Sequence, residues 1–381
     1  MILRNLKLEN FRRFAYARID FAKRLNVFVG INGAGKSSVL TAISTLLSWY
    51  VRRLVSPNGS GMGASLKESD ISSTAISSSI GVLIDVEQSK QVSWSLCKSA
   101  KGAPIFDVKS DLKELGEYIR GLRECKLESV PVIAYYSVNR SVVDVPLRIK
   151  KRHDFQILSA YDDAFDRAAD FRRFFEWFRE CEDVENERIA DTLMTGGVPY
   201  LANNELAAVR TALSRFLPEF SDWRIRRTPL RMEVKKDGIS LSIDQLSDGE
   251  KCMIALVGDL ARRLVIANPN LDNPLLGGGI VLIDEVELHL HPAWQKLALP
   301  RLLQSFPNVQ FVVTTHSPIV LAQLNSLLFQ QTEEISVFGL RSGLVESLID
   351  NETGLVMASE MDDAAADVDA EFDALLNGEG K

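Results

Sequence analysis

The sequence lacks what would mark a membrane, secreted or rod-like protein. No apolar run approaches the roughly 20 residues needed to cross a bilayer. Met1-Ile2-Leu3-Arg4-Asn5-Leu6 has no signal-peptide layout and reads as a strand. Only 4 cysteines occur in 381 residues: Cys97, Cys125, Cys181 and Cys252. No two share a metal-knuckle spacing and no histidine lies near them, which excludes a disulfide framework and argues against thiol catalysis. They are expected to be reduced thiols, buried or semi-buried, in a cytoplasmic protein. No segment sustains a heptad pattern, so a long coiled coil is excluded. The composition that remains, 46% hydrophobic and 25% charged, is that of an ordinary globular protein. The length suits two or three domain-sized units.

The net charge of -7 is uneven. Residues 360–381 carry Glu360, Asp362, Asp363, Asp367, Asp369, Glu371, Asp373 and Glu379 against Lys381, so residues 1–359 are balanced. The overall charge therefore does not exclude a nucleic-acid-binding face. The acidic tail reads as solubilising; the alternative is a mask for a nucleic-acid face or a dock for a basic partner. Basic clusters lie at Arg148, Lys150, Lys151 and Arg152, and at Arg224, Arg226, Arg227, Arg231, Lys235 and Lys236. A solvated or acid-paired surface is the preferred reading of each, and a DNA or RNA track is the alternative.

Hydropathy patterning predicts a strand, a turn at Arg12–Arg13 and a return strand, then a buried strand at Leu25-Asn26-Val27-Phe28-Val29. A helical stripe follows at Val39, Leu40, Ile43, Leu46 and Leu47. Residues 56–79, rich in Ser and Gly, read as a flexible loop or insertion. The period is helical from about 154 to 223, where Phe171, Phe174, Phe175, Trp177 and Phe178 read as core rather than a base-stacking platform. Strands recur at 131–136, 231–234, 279–283 and 309–313, and their alternation with helices predicts an α/β fold with a largely parallel sheet.

Four motifs carry chemistry. Gly30-x-x-x-x-Gly35-Lys36-Ser37 fits a phosphate loop between a strand and a helix. Its glycines let backbone N–H groups wrap phosphates, Lys36 can reach the β and γ phosphates, and the Ser37 hydroxyl can ligate Mg²⁺. Ile280-Val281-Leu282-Ile283-Asp284-Glu285 is a buried strand ending in two carboxylates. There Asp284 would hold Mg²⁺ and Glu285 would orient the attacking water. Leu246-Ser247-Asp248-Gly249-Glu250 opens a helix and contains a capping box from Ser247 to Glu250. Thr314-Thr315-His316-Ser317-Pro318 follows an apolar strand, so His316 could donate to a γ-phosphate oxygen.

In this order the motifs resemble the ATPase head of the ABC/SMC/RecF class. Leu8-Glu9-Asn10-Phe11-Arg12-Arg13-Phe14 resembles the opening of SMC and RecF heads, which implies that Arg12 binds nucleotide phosphates. Glu285-Val286-Glu287-Leu288-His289-Leu290-His291-Pro292 resembles the variant dimer-contact loop of the overcoming-lysogenization-defect branch. Tyr136-x-x-Asn139-Arg140, Ile149 within Pro146–Ile149, and Leu246 through Arg262 resemble the PtuA ATPase family of Septu-type and retron-associated anti-phage systems. The signature reads Ser247-Asp248-Gly249-Glu250 rather than Ser-Gly-Gly-Gln, and Asn139 and Gln156 are both candidates for the glutamine-loop position. Glu287, His289 and His291 also offer a metal-site pattern, but no third distant ligand is evident.

The resemblance implies that Asn32, Gly33, Gly35, Lys36, Ser37 and Ser38 hold ATP. It implies that Ser247, Gly249 and Glu250 of one copy complete the site of another, in a head-to-head homodimer. Expected segments are an N-terminal ATPase part (1–139), an inserted helical lobe (140–230), a C-terminal ATPase part (231–350) and an acidic tail (351–381). The OLD nucleases carry a Toprim domain after the His316 position. Here that region shows acids but no strand pattern, and His153 lacks an HNH constellation, so no nuclease activity is expected in this chain. The expected function is a regulatory ATPase controlling a separate nuclease effector in anti-phage defence, with nucleic acid as a further partner and no membrane. The alternatives are a RecF-like repair or maintenance ATPase and a nucleotide-gated scaffold with little turnover.

Overall fold

The computed structural model describes residues 1–86, 90–102, 109–125, 127–138, 156–165, 171–195, 204–330, 334–341, 343–350 and 353–356. Asn139, the basic cluster at 148–152, His153 and residues 357–381 of the acidic tail lie outside these residues.

The chain opens with β1 (Ile2–Phe11) and β2 (Phe14–Asp20), then β3 (Leu25–Val29), the phosphate loop and α1 (Lys36–Val55). Next come β4 (Ser77–Asp85), β5 (Gln91–Ser99), α2 (Lys113–Glu124) and β6 (Val132–Tyr136). Helices α3 (Phe171–Thr195) and α4 (Asn204–Phe216) precede the strands β7 (Phe220–Arg227), β8 (Leu230–Lys236) and β9 (Ile239–Ser242). The last third runs α5 (Asp248–Ala267), β10 (Gly279–Ile283), α6 (Pro292–Ser305), β11 (Val309–Thr315), α7 (Pro318–Gln330), β12 (Ile335–Arg341) and β13 (Leu344–Ser347).

The central sheet has the order β13-β12-β3-β11-β10-β6, parallel except for β13. Strands β3, β10 and β11 are buried at every position, which is why they read as continuous apolar runs rather than alternating ones. The antiparallel sheet β2-β1-β4-β5 is stitched to this core by one buried amide. Gln310 Nε2 donates to the carbonyls of Leu3 (2.9 Å) and Ala22 (2.7 Å), and its Oε1 accepts from the Leu3 N–H (2.7 Å). A third sheet, β7-β8-β9, is antiparallel.

Helix α5 is the core's central column, buried from Cys252 through Ala267. Gly258 lets the Phe174 ring lie on it, since a Cβ there would stand 2.8 Å from the ring. The aromatic run of α3 is core, as expected: Phe174, Phe175 and Phe178 are fully buried. Three charges are also buried in this column. Asp259 accepts from Arg262 (2.6 Å) and Arg263 (2.7 Å), and from the Tyr136 hydroxyl (2.9 Å). Burial alone would raise the Asp259 carboxyl, but the two guanidiniums hold it at about 2.

Three expectations are corrected. The serine- and glycine-rich stretch 56–79 is not a free loop. A Cβ on Gly63 would stand 2.5 Å from Trp49, Asp70 is buried, and residues 77–79 already belong to β4. The region after His316 does contain strands: β12 pairs with β3 and extends the central sheet, and β13 closes its edge. The period between 154 and 223 is not helical throughout. Residues Ile157–Tyr161 form a 3₁₀ turn, and the arginine-rich β7 is a strand burying Phe220, Trp223 and Ile225. Among the cysteines, Cys125 is exposed.

Removing the acid at the centre of the buried triad leaves two guanidiniums without a counter-charge. Asp259→Ala is expected to lower unfolding free energy by roughly 3–5 kcal/mol, the usual cost of breaking a buried pair on one side. Denaturant unfolding checks this; a change below 1 kcal/mol would show that the triad contributes little.

Candidate active site

Parallel pairing places three motifs at one edge. Val29 lies opposite Thr315, and Ile283 opposite Val313, so β3, β11 and β10 end side by side. Gly30, His316 and Asp284 therefore emerge together from the carboxyl ends of adjacent strands, where ligands bind in open α/β sheets.

The loop from Gly30 to Gly35 folds as it does because of its glycines. Gly33 has φ +76° and Gly35 has φ +115°, a left-handed backbone that side chains resist. A Cβ on Gly35 would stand 2.8 Å from the Phe14 ring. Helix α1 then begins without a side-chain cap, and its N-terminus faces the loop with the polarity that suits an anion. The Lys36 ammonium folds back and donates to the carbonyls of Gly30 and Ile31, the latter at 3.1 Å.

Beside this loop lies a cavity of about 330 Å³, within the usual range for small-molecule sites. Asn32, Gly33, Gly35, Lys36, Ser37 and Ser38 line it from the loop and helix; Arg12 and Arg13 line it from the β1–β2 turn; Glu285 lines it from the end of β10. Six of the residues expected to hold nucleotide thus share one cavity, together with Arg12 and the expected catalytic Glu285.

Thr314, which sequence reasoning named only within its motif, holds the acid pair. Its hydroxyl donates to Asp284 Oδ1 (2.5 Å) and accepts from the Glu285 N–H (2.7 Å). Asp284 is buried, and its own N–H donates to the Tyr136 carbonyl (2.8 Å). Glu285 takes a left-handed backbone (φ 48°) that turns it from the strand towards the cavity. Burial pushes the Glu285 carboxyl above its ordinary range; His316 and Lys36 oppose this, while Asp284 and Glu287 add to it.

His316 is engaged by Glu287. Its backbone N–H donates to Glu287 Oε1 (2.8 Å), and its Nε2 lies 3.4 Å from the same oxygen. Glu287 is buried, and this acid of the variant loop is a direct neighbour of His316. Among the described residues no cluster of three His, Cys, Asp or Glu could hold a metal ion. His291 instead caps α6, accepting from the Ala293 N–H at Nδ1 (3.3 Å).

The expected signature residues lie elsewhere. Ser247, Gly249 and Glu250 do not line the cavity of their own chain. Ser247 and Glu250 form the capping box that starts α5, with Ser247 Oγ donating to Glu250 Oε2 (2.8 Å). Glu250 is also braced by Lys236 from β8. Gly249 packs on the variant loop: a Cβ there would stand 2.5 Å from the His289 carbonyl oxygen. Gln156, exposed at the start of a 3₁₀ turn, does not line the cavity either.

The described basic cluster is paired with acid, the preferred reading of it. Arg224, Arg226 and Arg231 all meet Glu233, whose carboxyl Arg226 and Arg231 hold at about 2. Arg227 meets Glu182 and Asp183, Lys235 meets Asp222, and Lys236 meets Glu250.

Residues 137–322 match the family described as "AAA domain, putative AbiEii toxin, Type IV TA system", and residues 5–193 match a family described as "AAA domain". The "Retron Vc95 probable ATPase" of Vibrio cholerae serotype O1 biovar El Tor is 33% identical over 370 residues, covering 85% of this chain and 72% of that protein. "Septu protein PtuA" of Bacillus mycoides (strain KBAB4) is 36% identical over 110 residues, 29% of this chain and 13% of that protein. In fold, the chain is similar to an SMC head crystallised with the C-terminal winged-helix domain of ScpA. The TM-score is 0.52 at 17% identity, over 95% of this chain and 100% of that one. No helix among the described residues is long and apolar enough to cross a membrane.

The Glu285 carboxyl should take up its proton above the ordinary glutamate value of about 4.3. The group is raised in the folded state, so it carries charge only above its shifted midpoint and loses that charge as pH falls through it. Carbon-13 NMR of glutamate-labelled protein, assigned by difference with Glu285→Gln, measures it. A midpoint at or below 4.3 would contradict the burial argument.

Proposed function

This chain belongs to the AAA-domain P-loop ATPase family of the retron probable ATPases, and from that premise we propose that it binds and hydrolyses ATP as the regulatory subunit of an anti-phage defence complex. The observation that carries the reading is the meeting of phosphate loop, acid pair and His316 at three adjacent strand ends, in a chain related along most of its length to a retron ATPase. The proposed place of action is the cytoplasm.

In this reading the N–H groups of the phosphate loop and of the α1 start bind the β and γ phosphates. Lys36 leaves the carbonyls of Gly30 and Ile31 to join them. The Ser37 hydroxyl and the buried Asp284 carboxylate are hard oxygen donors of the kind Mg²⁺ takes, so the residues present fit that ion. When bound, Mg²⁺ neutralises charge on the phosphates. Glu285 orients the attacking water and draws on its proton, an assignment supported by its raised carboxyl and its place on the cavity wall. His316 donates to a γ-phosphate oxygen after leaving Glu287.

The working unit in this account is a head-to-head homodimer with two ATP molecules between the copies. Supporting it is the position of the exposed Ser247 and the half-buried Gly249, at the start of α5 and outside their own chain's cavity. Each turn then closes the partner's site, and ATP occupancy shifts the population between open and closed assemblies. The nuclease it controls is proposed to sit on a separate chain. A direct repair ATPase is less favoured because the described basic cluster is spent on acidic partners.

Glu285→Gln is expected to reduce turnover by about 100-fold or more, the usual worth of a positioned base, while leaving ATP bound. Size-exclusion chromatography with ATP and Mg²⁺ should then show a persistent dimer. Lys36→Ala should abolish nucleotide binding or turnover. Wild-type turnover in Glu285→Gln would remove that residue from the reaction, and unchanged turnover in Lys36→Ala would remove the phosphate-loop assignment.

A further inference from the structure

We propose that Lys236 is a positioning residue of the two-copy site, supplying the counter-charge that lets Glu250 stand in a turn that closes on another copy's triphosphate. The inference rests on the two-copy reading above and adds a residue to it. The turn at the start of α5 carries two acids, Asp248 and Glu250. They suit the helix, because its N-terminus favours negative charge and Glu250 completes the capping box. The same charges oppose an incoming phosphate, since like charges brought together across an interface repel. A turn that serves both ends needs a cation for each acid, and the structure provides one for each.

Lys251 Nζ lies 3.4 Å from Asp248 Oδ1, one turn along the same helix. Glu250 is served from a different element. Asp237 (φ 49°) and Gly238 (φ 81°) take the left-handed backbone that a two-residue hairpin turn favours, and Lys236 pairs with Ile239 across it. Alternation along β8 then sends Lys235 to Asp222 and Lys236 to Glu250. The Lys236 ammonium also stands 5.4 Å from the centre of the buried ring of Phe220, its cross-strand partner on β7. Glu250 Oε1 accepts from Lys236, while its Oε2 accepts from the Ser247 N–H (2.9 Å) and hydroxyl (2.8 Å). Burial would raise this carboxyl, but Lys236 and the Ser247 donors hold it below its ordinary range. The other bases of the described cluster meet Glu233, Glu182, Asp183 or Asp222, none of them an expected site residue. Lys236 alone of that cluster is spent on an acid of the signature turn.

A brace is broken equally from either end, whereas a counter-charge is not. The test measures ATP-dependent self-association by analytical ultracentrifugation with ATP and Mg²⁺, using the Glu285→Gln protein as parent. ATP affinity at protein concentrations too low for association, and nucleotide-free Tm, are measured beside it. Lys236→Met should weaken association by about tenfold or more and leave single-copy ATP affinity unchanged. The loss should shrink in high salt. Glu250→Gln should associate at least as tightly as the parent, and adding it to Lys236→Met should restore association. Parental association in Lys236→Met, or a loss in Glu250→Gln matching that in Lys236→Met, would overturn the inference. Should Lys236→Met itself lose Tm, Glu250→Gln decides: weakened association at parental Tm overturns the counter-charge role. A parent that binds ATP but does not associate would instead overturn the two-copy reading, and this inference with it.

Discussion

The Thr314 hydroxyl is the contact on which the site depends. It holds Asp284 on one side and the Glu285 backbone on the other, and it can do so only while β10 and β11 keep their register. Thr314 is fully buried, so a slip would break both of these hydrogen bonds in a dry interior, at a cost of about 1 kcal/mol or more for each. The same constraint reaches the far side of the molecule. The Asp284 N–H bonds the Tyr136 carbonyl, and the Tyr136 hydroxyl bonds Asp259 on α5. Helix α5 begins at the Ser247–Glu250 turn. A continuous line of buried polar contacts and one rigid helix thus joins the acid pair to the turn proposed to close a second copy's site. Such a line can carry a two-state signal between nucleotide and partner.

The sequence made the site's local parts legible because each motif has its own short-range cause. Glycines permit the left-handed loop at Gly33 and Gly35, apolar runs make the buried strands β3 and β10, and Ser247 with Glu250 caps α5. What stayed hidden was set by distant partners. Asp70, in a stretch that reads as loop, is fixed by Arg12 from 58 residues away. Glu287 had a metal-like pattern in sequence, but its neighbour is His316 on the next strand's end. Strand β12 was missed because its order comes from pairing with β3, about 300 residues earlier in the chain, and the four-residue β13 because it pairs with β12.

Charge shows the same division between composition and placement. The arginines and lysines of β7 and β8 read as a candidate nucleic-acid track by count, yet each has an acidic partner. Glu233 alone faces three guanidiniums, and most of these pairs stand partly exposed, where each contributes little to stability. Their chief effect is to leave β7 and β8 without an uncommitted basic surface. The guanidiniums of Arg12 and Arg13 lie instead at the cavity, where the proposed anion is bound.

The central claim is that a complete site needs two chains. Mixing two inactive variants, Lys36→Ala and Ser247→Arg, tests it most directly, because a mixed dimer contains one site with both an intact Lys36 and an intact Ser247. The account predicts that each variant alone hydrolyses little ATP and that the mixture regains turnover. A mixture as inactive as its parts, with mixed dimers shown to form, would contradict it.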